Sequence, residues 1–392
     1  MAYAVPKYVD DKLSKAIMPP GHWFNLFYQG YESDFNVPKN GKIPALKEII
    51  GKQFDPSVKK TILQRQEILA LKSNAQIFPV KLISPLAVGL GNEHPVENGF
   101  SFLSPYGLPY IAGSGIKGVL RKAALLLASG NYPIKDGDAK VDLEDVCLLF
   151  GGEEDKSKEK AECRGSLCCW DAFPDISKME IEIMTPHYGH YLNASGEKQP
   201  KSPHDQGQPT LIPFLVVPSE IKMNLIVTCS ELMLEKRKEN YDWRSKLEVI
   251  LKFACKWVGF GAKTAIGYGA FKLDEEEFEI KKQQAKEAEE KRNKELLLVQ
   301  MSPEERENEE AKAKFVELDE WFKGIKAIEK NFNPGSSKLN ARFNEVYEVC
   351  AKLKSDACKN LLDEILKFVD KKSKKGKEVR AKINEIFPEK EV

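Results

Sequence analysis

At 392 residues the chain is long enough for two or three domains, and a hydrophobic fraction of 42% excludes wholesale disorder. Lys and Arg number 60 against 59 Asp and Glu, so a nucleic-acid footprint would have to come from local clustering, not bulk charge. Charged residues make up 30%, above the usual quarter, which points to long solvated helices.

Residues 1–74 read as a mixed segment packed on the domain that follows. PPGHWFNLFYQGYESDF (19–35) is dense in aromatics, and Trp23, Phe24, Phe27 and Tyr28 form either a packing patch or a subunit interface, with core the better reading. SVKKTILQRQEILALKS (57–73) has apolar residues at helical spacing. AQIFPVKLISPLAVG (75–89) predicts a strand ending in a Gly/Asn/Pro-rich loop. LPYIAGSGIKGVLRKAALLLASG (108–130) predicts a short strand, a glycine turn and a helix stopped at Gly130. The charged stretch 151–162 reads as an exposed insertion, followed by strands in 164–174 and 179–188 and a long polar loop over 195–210. LIPFLVV (211–217) and IKMNLIVTCS (221–230) suggest a hairpin. DWRSKLEVILKFACKWVG (242–259) carries apolar residues at 247, 250, 251, 254, 257 and 258, a helical stripe. Domain boundaries are expected near 275 and 314: a core over 75–274, a charged helical linker over 275–314, and a helical module over 315–392. Three amphipathic segments are expected in that module, then a basic tail around 371–380.

The eight cysteines form no CxxC pair, and Cys168–Cys169 in GSLCCWDAF reads as buried, reduced thiols. His187 and His190, the His204–Asp205 pair and the two cysteines show no recognised zinc spacing, so no metal or other cofactor is expected. The N-terminus lacks an apolar leader and no run of 18 apolar residues occurs, so a soluble cytoplasmic protein with no membrane partner is expected.

Two glycine motifs carry the chemistry. Gly113-Ser114-Gly115-Ile116-Lys117-Gly118 fits the dinucleotide-binding pattern, but no apolar run precedes Asp136 or Asp138 to supply its second strand. What survives is a glycine turn at a helix start, where N–H groups favour anions, with Ser114, Lys117, Arg121 and Lys122 placed to meet a phosphate. The plain alternative is a structural turn with solvated basic residues. The second motif has glycines at 259, 261, 267 and 269 around Lys263, Thr264 and Tyr268 and is not a Walker A loop, since no Gly-Lys-Ser/Thr occurs. Close backbone approach, a cation and an aromatic suit RNA. His187 and Tyr188 in MTPHYGHY suggest base recognition, or else a satisfied histidine and a core tyrosine.

Gly-Phe-Gly, five residues, then Gly-Tyr-Gly resembles the glycine-loop signature of the RAMP superfamily of CRISPR proteins. With HPVENGFSFLSPYGLPYIAGSGIKGVLR (94–121), MTPHYGHY (184–191) and IPFLVV (212–217), the chain resembles the sixth-subunit family of type III-B Cmr complexes over roughly residues 75–274. Ala112 stands where that family usually has proline, and the tail after 274 has no counterpart in the resemblance. The resemblance implies an α+β, ferredoxin-like (RRM-type) core with insertions, here followed by a separate C-terminal helical module. It further implies a structural, non-catalytic role in antiviral defence. Contacts are implied with the 3′ part of a guide RNA, with target RNA and with other RAMP subunits. A metal-independent endoribonuclease, using His187, His190 or His204 with Lys117 or Lys263, is the alternative.

Overall fold

The computed structural model describes residues 18–32, 34–38, 41–133, 137–152, 164–186, 211–300, 302–328, 337–368 and 374–388, together with Val9 and Leu13. Its helices and strands run α1 (Pro20–Asn25), α2 (Lys42–Ile50), α3 (Pro56–Lys72), β1 (Gln76–Leu82), β2 (Phe102–Leu103), β3 (Leu108–Pro109), α4 (Gly113–Ala128), α5 (Leu143–Phe150) and β4 (Leu167–Cys169). They continue with β5 (Glu180–Met184), β6 (Ile212–Val216), β7 (Lys222–Cys229), α6 (Glu231–Glu235), α7 (Trp243–Phe253), a π-turn (Ala254–Val258), a 3₁₀ turn (Thr264–Ile266) and β8 (Phe271–Leu273). Last come α8 (Glu275–Gln300), α9 (Pro303–Ile328), α10 (Ser337–Leu353), α11 (Asp356–Phe368) and α12 (Lys374–Ile386).

The chain divides into two compact units, Met1–Glu289 and Glu290–Val392. The first is built on a four-stranded sheet of order β4-β7-β1-β8 with antiparallel neighbours. Taken with α4 and α7, the chain order β1–α4–β4–β7–α7–β8 is the βαββαβ pattern of a ferredoxin-like fold. Alternation sorts the two faces. Phe78, Val80 and Leu82 of β1, with Leu225 and Val227 of β7, join Ile116, Leu120, Leu247 and Ile250 from the two helices in one core. Ile77 and Ile226 point the other way and pack with Ala70 of α3. Asp55 caps α3 by accepting from the Ser57 and Val58 N–H groups, with proline at the first helical position. Ala70 is the only fully buried residue of its 17, so α3 lies shallowly on the sheet.

Four departures from the sequence reading have physical causes. β6 and β7 do not form a hairpin: β6 pairs with β5, and β7 pairs with β1 and β4. Pro218 has no N–H to extend the ladder and Glu220 takes a left-handed φ of 68°, so the chain turns out of one sheet and into another. Cys168 is exposed, because strand alternation points it away from the face that Leu167 and Cys169 share. Trp257 leaves the buried stripe of α7 at the π-turn and is exposed. The basic stretch expected as a tail is helical from Lys374, where α12 buries Val379 and Ile383.

Helix α8 begins at Glu275, where the charged linker was expected to start, and its first turn buries Phe278, stacked on Phe78 with centroids 5.2 Å apart. The second unit has its own core, in which Leu318 and Phe322 of α9 meet Phe343 and Val346 of α10 and Leu362 and Ile365 of α11.

Two polar groups anchor the first unit from within. Asp145, 1% exposed, accepts from Tyr241 Oη (2.6 Å) and Lys246 Nζ (2.8 Å) and closes a capping box with Asp142. Burial alone would raise its pKa, but these partners outweigh it and hold the carboxylate below its ordinary range. His94 stacks on Phe24 with centroids 3.7 Å apart; its Nε2 bonds the Phe24 carbonyl and its Nδ1 accepts from the Val96 N–H. Burial pushes the imidazole down to about 4 from an ordinary 6.5, only partly opposed by the Phe24 bond. A depressed folded pKa means that the unfolded chain binds the proton more readily. The stabilisation is therefore complete above about pH 6.5 and lost as pH falls towards about 4. Thermal melts taken between these limits should show a loss on the order of 3 kcal/mol from this group. The His94→Gln variant should lose correspondingly less over the same interval, and identical acid profiles for the two proteins would contradict the assignment.

Candidate nucleic-acid interface

Helix α4 starts beside edge strand β4. Gly113 is required there by packing: a Cβ would lie 2.1 Å from the Cys169 carbonyl oxygen. Its N–H donates to Asp171 Oδ1 at 2.7 Å, so an internal carboxylate already occupies the place at the helix start where an external anion was expected. Lys117 is half-buried and donates to the Leu167 carbonyl (2.7 Å), pinning the helix to β4. Ser114 and Lys122 are exposed, and Arg121 is partly so. Ser114 and Lys117 line a groove of about 590 Å³ together with Arg164, Thr228 and Ser230.

Gly115 and Gly118 differ from Gly113. Both face open space, with no neighbouring atom within 4 Å of the point where a Cβ would stand. Glycine inside a helix costs roughly 1 kcal/mol relative to alanine. No packing contact explains that cost at either position. These two sites, with Lys122 one turn on from Gly118, form a bare face next to the groove.

The second motif leads into β8 at the opposite edge. Gly261 (φ 85°) and Gly269 (φ 66°) lock the loop: an added Cβ would lie 2.4 Å from the Ala87 oxygen and 1.8 Å from the Phe260 oxygen. Phe260 N–H donates to the Gly269 carbonyl (2.9 Å), Ala262 N–H to Ala87 (2.7 Å) and Gly269 N–H to Pro85 (2.8 Å). Gly259 ends the π-turn at φ 73°, with Thr264 packed against it. Gly267 at the apex has open space around it. Lys263, itself left-handed at φ 60°, reaches Met184 Sδ at 2.7 Å and lies 5.6 Å from the Phe214 ring centroid. Tyr268 Oη lies 3.4 Å from Glu182 Oε2, and burial followed by Glu182 raises its pKa. Both side chains are half-buried and lean onto the paired strands β5 and β6.

Strands β7 and β1 separate the two motifs, which places them at least three strand spacings apart, roughly 14 Å. His187 and Tyr188 lie outside the described residues. The sheet face that an RRM leaves open for RNA carries α3, held by Gln66 Nε2 to the Asp171 carbonyl (2.8 Å) and Lys59 Nζ to Asp175 Oδ1 (2.6 Å). Among the described residues no three His, Cys, Asp or Glu side chains gather as metal ligands would, and no helix is long and apolar enough to cross a membrane. Sequence reasoning passed over Arg164 and the bareness of Gly118; Arg164 belongs to no motif, and only the fold brings it beside Lys117.

The pattern of the RAMP superfamily matches residues 80–272, from the middle of β1 to β8. Those residues, just under half of the chain, are similar to that superfamily. The CRISPR system Cmr subunit Cmr6 of Pyrococcus furiosus is 30% identical over 233 residues, 48% of this chain and 65% of that relative, so the match spans just under two thirds of the relative's length. Among solved structures, similarity is found to a type III-B Cmr-β complex bound to cognate target RNA (19% identity, 62% of this chain, 76% of that one, TM-score 0.42). It is also found to the crystal structure of Cmr6 from Pyrococcus furiosus (28% identity, 51% and 97%, TM-score 0.28).

Gly115→Ala and Gly118→Ala should each raise helix stability, by up to about 1 kcal/mol, because alanine is the better helix former and meets no neighbour. The same variants should weaken RNA binding if the bare face admits a strand. Chemical denaturation and a filter-binding titration read the two effects separately, and stabilised variants with unchanged affinity would remove α4 from the interface.

Proposed function

We propose that the protein is an RNA-binding, non-catalytic structural subunit of a type III-B CRISPR effector complex. In this reading it takes the place of the sixth Cmr subunit in antiviral defence and holds guide RNA near its 3′ part, beside target RNA and neighbouring RAMP subunits. The observation that carries the reading is the bare glycine face of α4 beside a groove edged by Lys117 and Arg164, inside the region similar to the RAMP superfamily. The name of the 30% identical relative, a Cmr subunit, supports the choice of complex. Lys117 positions the helix and lends its charge to the groove, Arg164 and Lys122 neutralise phosphates, and the glycines admit the sugar–phosphate chain.

Binding should weaken steeply with salt as counterions are released. Replacing Arg164 and Lys122 together by alanine should flatten the log–log salt slope by about 0.7 per lost contact on a single strand and reduce affinity alike for all sequences. An unchanged slope would exclude both as phosphate contacts. A full-length preparation that cut RNA but spared a 2′-deoxy substrate would establish the ribonuclease reading instead.

The second unit serves as a protein-docking module in the same reading, since its helices close a core of their own. A chain ended after Glu289 should keep the melting transition of the first unit and lose partner association in co-purification. A chain ended after Asp274 should also melt lower, because Phe278 is removed from Phe78. Undiminished partner recovery without residues 290–392 would refute the docking role.

A further inference from the structure

Helix α7 buries Trp243, Leu247, Ile250 and Leu251. Continued at the same pitch, that stripe would pass through Ala254 and then take in Trp257 and Val258. The chain does otherwise. At Ala254 the helix widens into a π-turn, closed by the Gly259 N–H on the Ala254 carbonyl at 3.0 Å. The wider turn rotates the following residues out of phase, so Cys255 takes the buried position and Trp257 emerges 64% exposed. An indole that periodicity assigns to the core is thus delivered to the surface. π-turns of this kind concentrate at functional sites.

The surroundings of Trp257 point to a nucleic-acid base. Lys256 Nζ lies over the indole, 5.1 Å from its centroid, placing a cation on one face of the ring. Immediately beyond comes the glycine loop, with Thr264 packed on Gly259 and Ile266, 70% exposed, at the apex beside Gly267. An aromatic plane, an adjacent cation and an exposed loop apex beside them are the parts of a single-strand stacking platform. A protein partner fits less well, because lysine is depleted from the cores of protein interfaces.

We infer that Trp257 is a base-stacking residue for single-stranded RNA, with Lys256 and the exposed apex of the 259–269 loop flanking the stacked nucleotide. This rests on the RNA-binding reading above and adds a contact that the sequence pattern placed in the core.

The test uses the full chain and a short single-stranded RNA, beside an oligonucleotide of equal length without bases. Of the five tryptophans, all of them described, only Trp257 is exposed, so base stacking should quench its fluorescence selectively. RNA should quench the wild-type protein, and the baseless strand should not. Trp257→Phe should abolish the quench while keeping most of the affinity. Trp257→Ala should lose about tenfold in affinity for RNA and nothing for the baseless strand. Both variants should melt as the wild type does, since the side chain is outside the core. Wild-type and alanine proteins that bind RNA equally, or a quench that survives Trp257→Phe, would overturn the inference and leave the RNA-binding reading standing. RNA affinity retained by Trp257→Ala with partner proteins lost would make the surface a protein interface and overturn it as well. A wild-type chain that binds no RNA would fail both readings together.

Discussion

The central position of β1 is the constraint on which the first unit depends. It is hydrogen-bonded on both sides, to β7 and to β8, and its alternate side chains feed two different cores. Because β1 joins the end of the chain's N-terminal segment to the strand that follows the second glycine loop, its register sets where each glycine motif falls. One lands beside β4 and the other at the start of β8, on opposite edges. Any strand of RNA that touched both would have to cross or skirt the sheet, and the face it would cross carries α3.

The glycines separate into two physical kinds. Gly113, Gly261 and Gly269 lack a side chain because neighbouring backbone fills the space where one would stand. Gly115 and Gly118 lack one with nothing nearby to exclude it, whereas Gly267, also in open space, is held at a left-handed φ of 99° that disfavours any side chain. The first kind builds the fold. The pair in α4 carries a conformational cost without a packing return. The same logic applies to Trp257, a large apolar side chain that the π-turn withholds from a core it could have joined.

Electrostatics divides in the same way. Lys117, Lys246 and Lys263 are engaged inside the fold, on a carbonyl, a carboxylate and a thioether. Arg164, Lys122 and Lys256 remain on the surface. With a net charge of only +1, it is this local sorting, not the total, that leaves cations on the surface.

The amino-acid sequence by itself determined the elements whose signals are local: the strand of β1, the helix of α4 with its stop at Gly130, the left-handed turns at glycine, and a motif pattern that resembles the RAMP superfamily. Helical and strand periodicity and the backbone needs of glycine are properties of neighbouring residues, so they are legible in a string. Only the tertiary structure decided that β6 pairs with β5 and not with β7. It likewise decided that Asp171 caps α4, that Lys263 and Tyr268 lean onto β5 and β6, that Trp257 turns outward and that Arg164 joins Lys117. Each of these depends on which distant residue fills a given volume or satisfies a given hydrogen bond, and that information exists only once the chain has closed on itself.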